Sequence, residues 1–192
     1  MESQKQHWKA GNMLYPIPAV LVSCQRPGEK PNAITVAWTG TVCTNPPMVY
    51  ISLRPERYSY DIIRETGEFV INLTTEKMAK AVDYCGVRSG REVDKFREMQ
   101  FTPEPSQIVK APGILQCPVN IECRVVSVQE LGSHHMFLAK VLQVNVEEAL
   151  LEENGRLDLQ RAGLLHYSHG EYFSQGSKLG SFGYSVRKRP KG

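Results

Sequence analysis

Short apolar runs rich in β-branched residues recur along the chain, each bounded by Pro, Gly or Asn. They are Ala19 to Cys24 (AVLVSC), Ala33 to Trp38 (AITVAW), Met48 to Leu53 (MVYISL) and Phe69 to Leu73 (FVINL). Side chains of this type suit a pleated, half-buried surface, so the runs predict strands of one sheet. From Val119 to Leu131 apolar and polar positions alternate. The pattern resumes from Met136 to Val146 after the Gly132-Ser133-His134-His135 turn, which predicts a long antiparallel hairpin. Two short amphipathic helices are expected. One lies around Arg57 to Thr66 after Pro55, and one around Glu76 to Cys85 with the Thr74 or Thr75 hydroxyl as N-cap. The polar, Pro-containing stretch from Gly86 to Pro112 reads as a loop excursion with one helical turn at Asp94 to Met99, and loops of this length are often functional. Many strands with few helices argue for an antiparallel barrel or sandwich. A doubly wound sheet is disfavoured, because no GxGxxG follows the first strand to bring backbone amides onto a pyrophosphate.

Composition narrows the class. The 192 residues, 41% hydrophobic and 22% charged, fit one domain spanning 1–192 with a well-filled core. A formal charge of +3 is too weak to imply nucleic acid, and much of it sits at Arg187, Lys188, Arg189 and Lys191, which read as a solvated tail. Five cysteines, an odd number with no CxxC among them, fit a reduced cytosolic compartment. MESQKQHWKAGN has no apolar signal region, and no window approaches the ~18 apolar residues of a spanning helix. The expectation is a cytoplasmic protein, neither secreted nor membrane-embedded.

Candidate chemistry concentrates between Asn32 and Ser59, NAITVAWTGTVCTNPPMVYISLRPERYS. Two apolar runs flank what reads as a small-residue, hydroxyl-rich turn at Trp38, Thr39, Gly40 and Thr41, where Gly40 would let the backbone approach a flat ring. Arg54 and Arg57, with Ser52 and Ser59, could hold a phosphate by charge-assisted hydrogen bonds, and a helix starting near Arg57 would add its positive end. Such a stretch has the three surfaces that a flavin mononucleotide requires: a cationic pocket, backbone donors and apolar cover. Each part also has a plain structural reading: RPER as a solvated face with internal pairing, Trp38 as core. The pairs His134-His135 and His166 with His169 lack a carboxylate or cysteine at ligand spacing, so no metal is expected. Cys43 reads as a small wall residue, and no Gly-x-Ser-x-Gly elbow is present.

In their order along the chain, NAITVAW, PPMVYISLRPERYSYDII, TGEFVINL, DKF (Asp94 to Phe96), GSHHMFLAKV and GSFGYSVRK resemble the flavin reductase-like family with the FMN-binding split barrel, in particular its flavoredoxin-like branch. The resemblance implies a mainly β, Greek-key-like split barrel with a few short helices, a homodimer, and one non-covalent FMN per subunit near the dimer interface. By the same resemblance Trp38, Thr39, Gly40 and Thr41 match the segment facing the ring and ribityl chain. Ser52, Leu53, Arg54, Tyr58 and Ser59 match the surroundings of the phosphate, and Lys95 matches a loop lysine that reaches the cofactor. His134 matches the histidine of a turn near flavin and nicotinamide, with Ser133 standing where an acidic residue often does. The implied activity is an FMN-dependent oxidoreductase: a flavoredoxin-like electron carrier serving a redox protein, or a flavin reductase using NAD(P)H and free flavin. The competing expectation is a non-catalytic β-barrel binding module for oligonucleotide or haem, although only RPERYSY interleaves aromatics with basic residues.

Overall fold

The β-branched runs do assemble into one sheet. The computed structural model describes residues 4–187, so Lys188, Arg189 and Lys191 of the tail lie outside the described residues. In chain order the strands are β1 (Ile17–Pro18), β2 (Val20–Cys24), β3 (Asn32–Val36), β4 (Thr39–Cys43), β5 (Met48–Leu53), β6 (Glu68–Leu73), β7 (Pro103–Glu104), β8 (Gly113–Ile114), β9 (Val119–Glu130), β10 (His135–Val146), β11 (Leu165–Ser168) and β12 (Glu171–Ser174). Seven of them form an antiparallel sheet in the order β3-β2-β6-β9-β10-β5-β4. The sheet curls until edge strand β3 returns against β5, with which it shares no ladder. The result is a mainly β half-barrel, split along that seam, with a few short helices.

Burial explains why AVLVSC reads as a continuous apolar run. Every residue of β2 is buried, because both faces of this strand are covered. Val20, Val22 and Cys24 face the interior with Ile34, Ile51, Phe69, Ile71 and Phe137, closed by Tyr60, Ile62 and Ile63 of helix α1 (Tyr58–Thr66). Leu21 faces outward, into a second cluster with Val82 and Cys85 of helix α2 (Ala79–Val87), Phe96 of the short helix α3 (Lys95–Glu98), Ile114 and Leu165. Each fully buried side chain of this size contributes roughly 1.5–3 kcal/mol. Together the two layers lock β2 and β3 in register.

Two local expectations are corrected. Trp38 to Thr41 is not a turn. Thr39–Cys43 is a strand, pairing Thr39 with Ile51, Gly40 with Tyr50 and Thr41 with Val49. Its β-branched residues favour extended backbone, and the chain reverses after it, at Thr44 to Pro47. Nor does a threonine hydroxyl cap the second helix. A 3-10 turn (Glu76–Met78) precedes α2, Thr75 makes no side-chain cap bond, and the Thr74 hydroxyl donates instead to the Ala19 carbonyl at 2.5 Å. The helical turn expected near Asp94 is present as α3, with the Asp94 carboxylate accepting from the Arg97 amide at 3.1 Å.

The 86–112 excursion is tied down. Glu122 of β9 is fully buried, and its carboxylate accepts from the amides of Gln107, Ile108 and Val109 at 2.8, 2.7 and 3.1 Å and from Asn145 Nδ2 at 2.8 Å. Among the described residues no helix is long and apolar enough to cross a membrane.

Candidate cofactor site along the barrel seam

Where β3 meets β5 without a shared ladder, a cavity of about 130 Å³ opens between Ile34, Val36 and Trp38 on one side and Ser52, Leu53 and Arg54 on the other. It shares Ile34 and Arg57 with a cavity of about 270 Å³ whose walls include Asn32, Tyr58, Ser59, Arg88, Gly90 and Lys95. On the opposite side it shares Trp38, Ser52 and His134 with a cavity of about 640 Å³ walled by Met13, Leu14, Tyr15, Tyr50 and Met136. The three make one trough, cationic at one end and aromatic at the other.

The cationic end begins at the start of α1. No side chain caps this nine-residue helix, whose N-cap is Arg57, so the positive end of its dipole faces the cavity that Arg57, Tyr58 and Ser59 line. Ser59 is buried, and its hydroxyl accepts from Asn32 Nδ2 at 2.7 Å, which joins β3 to α1 beneath the cavity. Two guanidinium groups lie over the Tyr58 ring, Arg91 at 5.4 Å and Arg26 at 6.0 Å from its centroid. Gly90 completes the wall by close approach. A Cβ there would stand 2.3 Å from Asn32 Oδ1 and 2.5 Å from Tyr58 Cδ1.

Lys95 is only 2% exposed, and its ammonium donates to the Cys85 carbonyl at 2.7 Å. Burial pushes its pKa down to about 8; nearby Arg57 works in the same direction, against Cys85 and Cys24. Arg54 is half exposed, with Nε 3.1 Å from the Glu56 carboxylate. Leu53 is core, although it lines the middle cavity. The Ser52 amide donates to the Trp38 carbonyl at 2.8 Å, which holds the two sides of the middle cavity together.

The aromatic end is built differently from the sequence expectation. Gly40 does permit a flat ring to lie on the backbone, but that ring belongs to Tyr50, whose Cε1 would stand 3.0 Å from an added Cβ. The Thr39 hydroxyl donates to the Tyr50 carbonyl at 2.7 Å, and Thr41 is exposed. Neither threonine, nor Gly40, lines any of the three cavities. Trp38 does, as the wall shared by the middle and aromatic cavities.

His134 also lines both of these cavities. Ser133 Oγ lies 3.0 Å from its Nδ1, so a hydroxyl holds the ring. Burial lowers its pKa, assisted by Arg54 and Arg57 and opposed by Glu56, which leaves the imidazole neutral at pH 7. His135 turns the other way: its Nδ1 is 2.8 Å from the buried Tyr60 hydroxyl.

The sequence reading missed Asn32, Arg88 and Gly90 as wall residues, and Tyr15 and Tyr50 as aromatic cover. Arg88-Ser89-Gly90-Arg91 carries a signal, two cations around a glycine, but solvated loops share it. Among the described residues no group of three or more His, Cys, Asp or Glu is placed to hold a metal ion. The cysteines among them are free thiols.

Comparison with known proteins agrees with the split half-barrel. Residues 12–176 match the flavin reductase like domain. A protein of Archaeoglobus fulgidus is 32% identical over 164 residues, 85% of this chain and 90% of its own. Among solved structures, flavoredoxin of Desulfovibrio vulgaris (Miyazaki F) superposes with a TM-score of 0.89 at 30% identity, over 96% of this chain and all of its own. An FMN-binding protein from Thermus thermophilus superposes with a TM-score of 0.77 at 25% identity, over 94% of this chain and 99% of its own. The family assignment takes the place of the oligonucleotide- or haem-binding alternative. With its curled antiparallel sheet split at the β3–β5 seam, the chain belongs to the flavin reductase-like family.

Proposed function

We propose that the chain holds one FMN per subunit, non-covalently, along the seam, and passes electrons through it as a flavoredoxin-like carrier. The observation that carries this reading is the polarity of the trough. Arg57, Arg88, Lys95 and the start of α1 gather where a dianionic phosphate would be neutralised, and Trp38, Tyr15 and Tyr50 gather where a flat ring would find cover. The donor set fits FMN, the cofactor of the FMN-binding protein from Thermus thermophilus. When bound, FMN supplies the redox chemistry, and the protein supplies binding, orientation and access.

The residues divide that work. Arg57 reaches both the cationic and the middle cavity, so it can anchor the phosphate while shaping the path toward the ring. Lys95, held by the Cys85 carbonyl, presents a fixed charge rather than a mobile one. Tyr58 and Ser59 set the floor through the Asn32 bond. His134, neutral and held by Ser133, can exchange a hydrogen bond with a ligand without adding charge to the ring end.

A carrier is better supported than an NAD(P)H-driven flavin reductase because, among the described residues, no Lys or Arg lines the aromatic cavity to meet a dinucleotide's pyrophosphate. A homodimer is proposed as well, supported by the exposed valines Val126, Val128 and Val144 on the β9–β10 hairpin. The test is direct. The purified chain, incubated with FMN and desalted, should retain a visible spectrum like that of oxidised flavin, and should turn over neither NADH nor NADPH at more than a trace rate. A colourless chain that takes up no FMN removes the flavin reading, and steady NAD(P)H oxidation replaces the carrier with a reductase.

A further inference from the structure

A line of oxidisable rings runs from the seam to helix α2. Between ring centroids, Trp38 lies 6.4 Å from Tyr15, Tyr15 lies 6.0 Å from Tyr167, and Tyr167 lies 5.7 Å from Tyr172. The last step is a cross-strand pair, Tyr167 of β11 opposite Tyr172 of β12, and both rings pack against the outer core cluster that α2 helps to form. Packing alone would be served as well by phenylalanine, which stands in the ring pairs Tyr60–Phe137 and Phe96–Phe101. The line from Trp38 to Tyr172 contains none, and every ring in it can give up an electron.

The outer end of the line differs from its middle. The Tyr172 hydroxyl donates to the Asp83 carboxylate of α2 at 3.4 Å, a long bond but one a proton can cross. The Tyr15 and Tyr167 hydroxyls have no such acceptor among the described residues. Partial burial pushes the Tyr172 pKa up to about 12, with Asp83 and Tyr167 acting in the same direction, so the phenol is intact at pH 7. A phenol that loses an electron becomes a strong acid, and it settles as a neutral radical only where a base takes its proton. An electron vacancy that enters at Trp38 therefore comes to rest on Tyr172, with Tyr15 and Tyr167 as the bridge.

We propose that Trp38, Tyr15, Tyr167 and Tyr172 form a single-electron relay that carries oxidising equivalents away from the seam and discharges them beside α2. A strong one-electron oxidant at the seam, such as an oxygen-derived radical, takes one electron from Trp38 and is reduced by it. Tyr172 restores that electron to Trp38 through Tyr167 and Tyr15 and gives its phenolic proton to Asp83, which leaves a neutral tyrosyl radical. A thiolate in solution then donates one electron to Tyr172, Asp83 returns the proton, and a thiyl radical departs. The relay goes beyond the flavin reading and does not depend on it, since its inner end is Trp38 itself.

Pulse radiolysis of the full chain, with azide radical as the oxidant, tests the relay. The chain has two tryptophans, and Trp8 is 73% exposed, so Trp8→Phe gives a background in which Trp38 alone can carry a tryptophan radical. In that background the tryptophan-radical absorbance should decay as tyrosyl absorbance grows, at one first-order rate independent of protein concentration. Tyr172→Phe, which keeps the ring and its packing, should remove the conversion. Asp83→Asn should slow it roughly a hundredfold, the lower end of what a positioned proton acceptor contributes. Tyr15→Leu should slow it more than Tyr15→Phe, which keeps a ring in the bridge. Absence of conversion, a rate that scales with protein concentration, or an unchanged rate in Tyr172→Phe, Asp83→Asn or Tyr15→Leu would each overturn the proposal. FMN uptake, read separately from visible absorbance, bears on the flavin reading alone: a chain that takes up no FMN yet converts the radical keeps the relay, and one that holds FMN without conversion loses it.

Discussion

The Lys95 ammonium and the Cys85 carbonyl, 2.7 Å apart, bind the 86–112 excursion to the last turn of α2. The bond places a buried cation at the negative end of a helix, yet burial still holds the lysine pKa near 8 rather than 10.5.

A pH window follows from that depression. Between about 8 and 10.5 the unfolded chain keeps a proton on Lys95 that the folded chain has released, so stability gains as pH rises through the window. Urea unfolding of the wild type and of Lys95→Met should show the difference moving in the wild type's favour from pH 7.5 to pH 10. A difference independent of pH would mean that Lys95 is solvated. If Lys95 also meets the FMN phosphate, FMN affinity of the wild type should fall above about pH 8, with Lys95→Met showing a flatter profile in fluorescence titration.

Arg57 and Arg54 should contribute unequally to FMN binding. Arg57 lines both the cationic and the middle cavity, whereas Arg54 is half exposed and already paired with Glu56. Loss of a charge-assisted hydrogen bond costs about 1.5–3 kcal/mol. Arg57→Ala is expected to weaken FMN by roughly ten- to a hundredfold and Arg54→Ala by less. Equilibrium dialysis reads both, and a larger loss for Arg54→Ala would shift the phosphate toward β5.

Gly90→Ala should be costly for its size. Its Cβ would overlap Asn32 Oδ1 and Tyr58 Cδ1, so the Asn32 to Ser59 bond and the Tyr58 ring must both shift. Overpacking of this kind costs about 1–3 kcal/mol. We expect a lower Tm together with weaker FMN binding; a wild-type Tm would mean that the wall is loose.

Glu122 should make the 86–112 excursion sensitive to acid. Burial alone would raise its pKa, but hydrogen bonds from Gln107, Asn145, Ile108 and Val109 more than offset this, and the net shift is downward. A carboxyl with a depressed folded pKa stabilises the protein above its unfolded value near 4.5, and that contribution is lost as pH falls through the folded value. Glu122→Gln should therefore be less stable than wild type at pH 7, with the gap narrowing in urea unfolding as pH falls below 4.5. A gap that does not change with pH would assign the effect to packing.

Much of the sheet was legible because β-branched runs and turn residues coincide. Met48–Leu53 falls where its pattern places it, and the β9–β10 hairpin is a residue out at most. Thr39–Cys43 was hidden because its small residues resemble a turn, and its strand character comes from pairing with β5, a non-local contact. At the site, Arg57, Tyr58, Ser59 and Lys95 were found by motif, and the structure gathers them around one cavity. Asn32, Gly90 and Tyr15 were not found, since their roles depend on close approach between segments distant in sequence.

Edge strand β3 has a ladder on its β2 side alone, and its other edge faces the trough. Backbone amides along such an edge exchange with solvent through small local openings rather than through global unfolding. An occupant wedged between β3 and β5 would act as a clasp on that motion. The rate at which β3 amides pick up deuterium should then report how full the seam is, whatever molecule fills it.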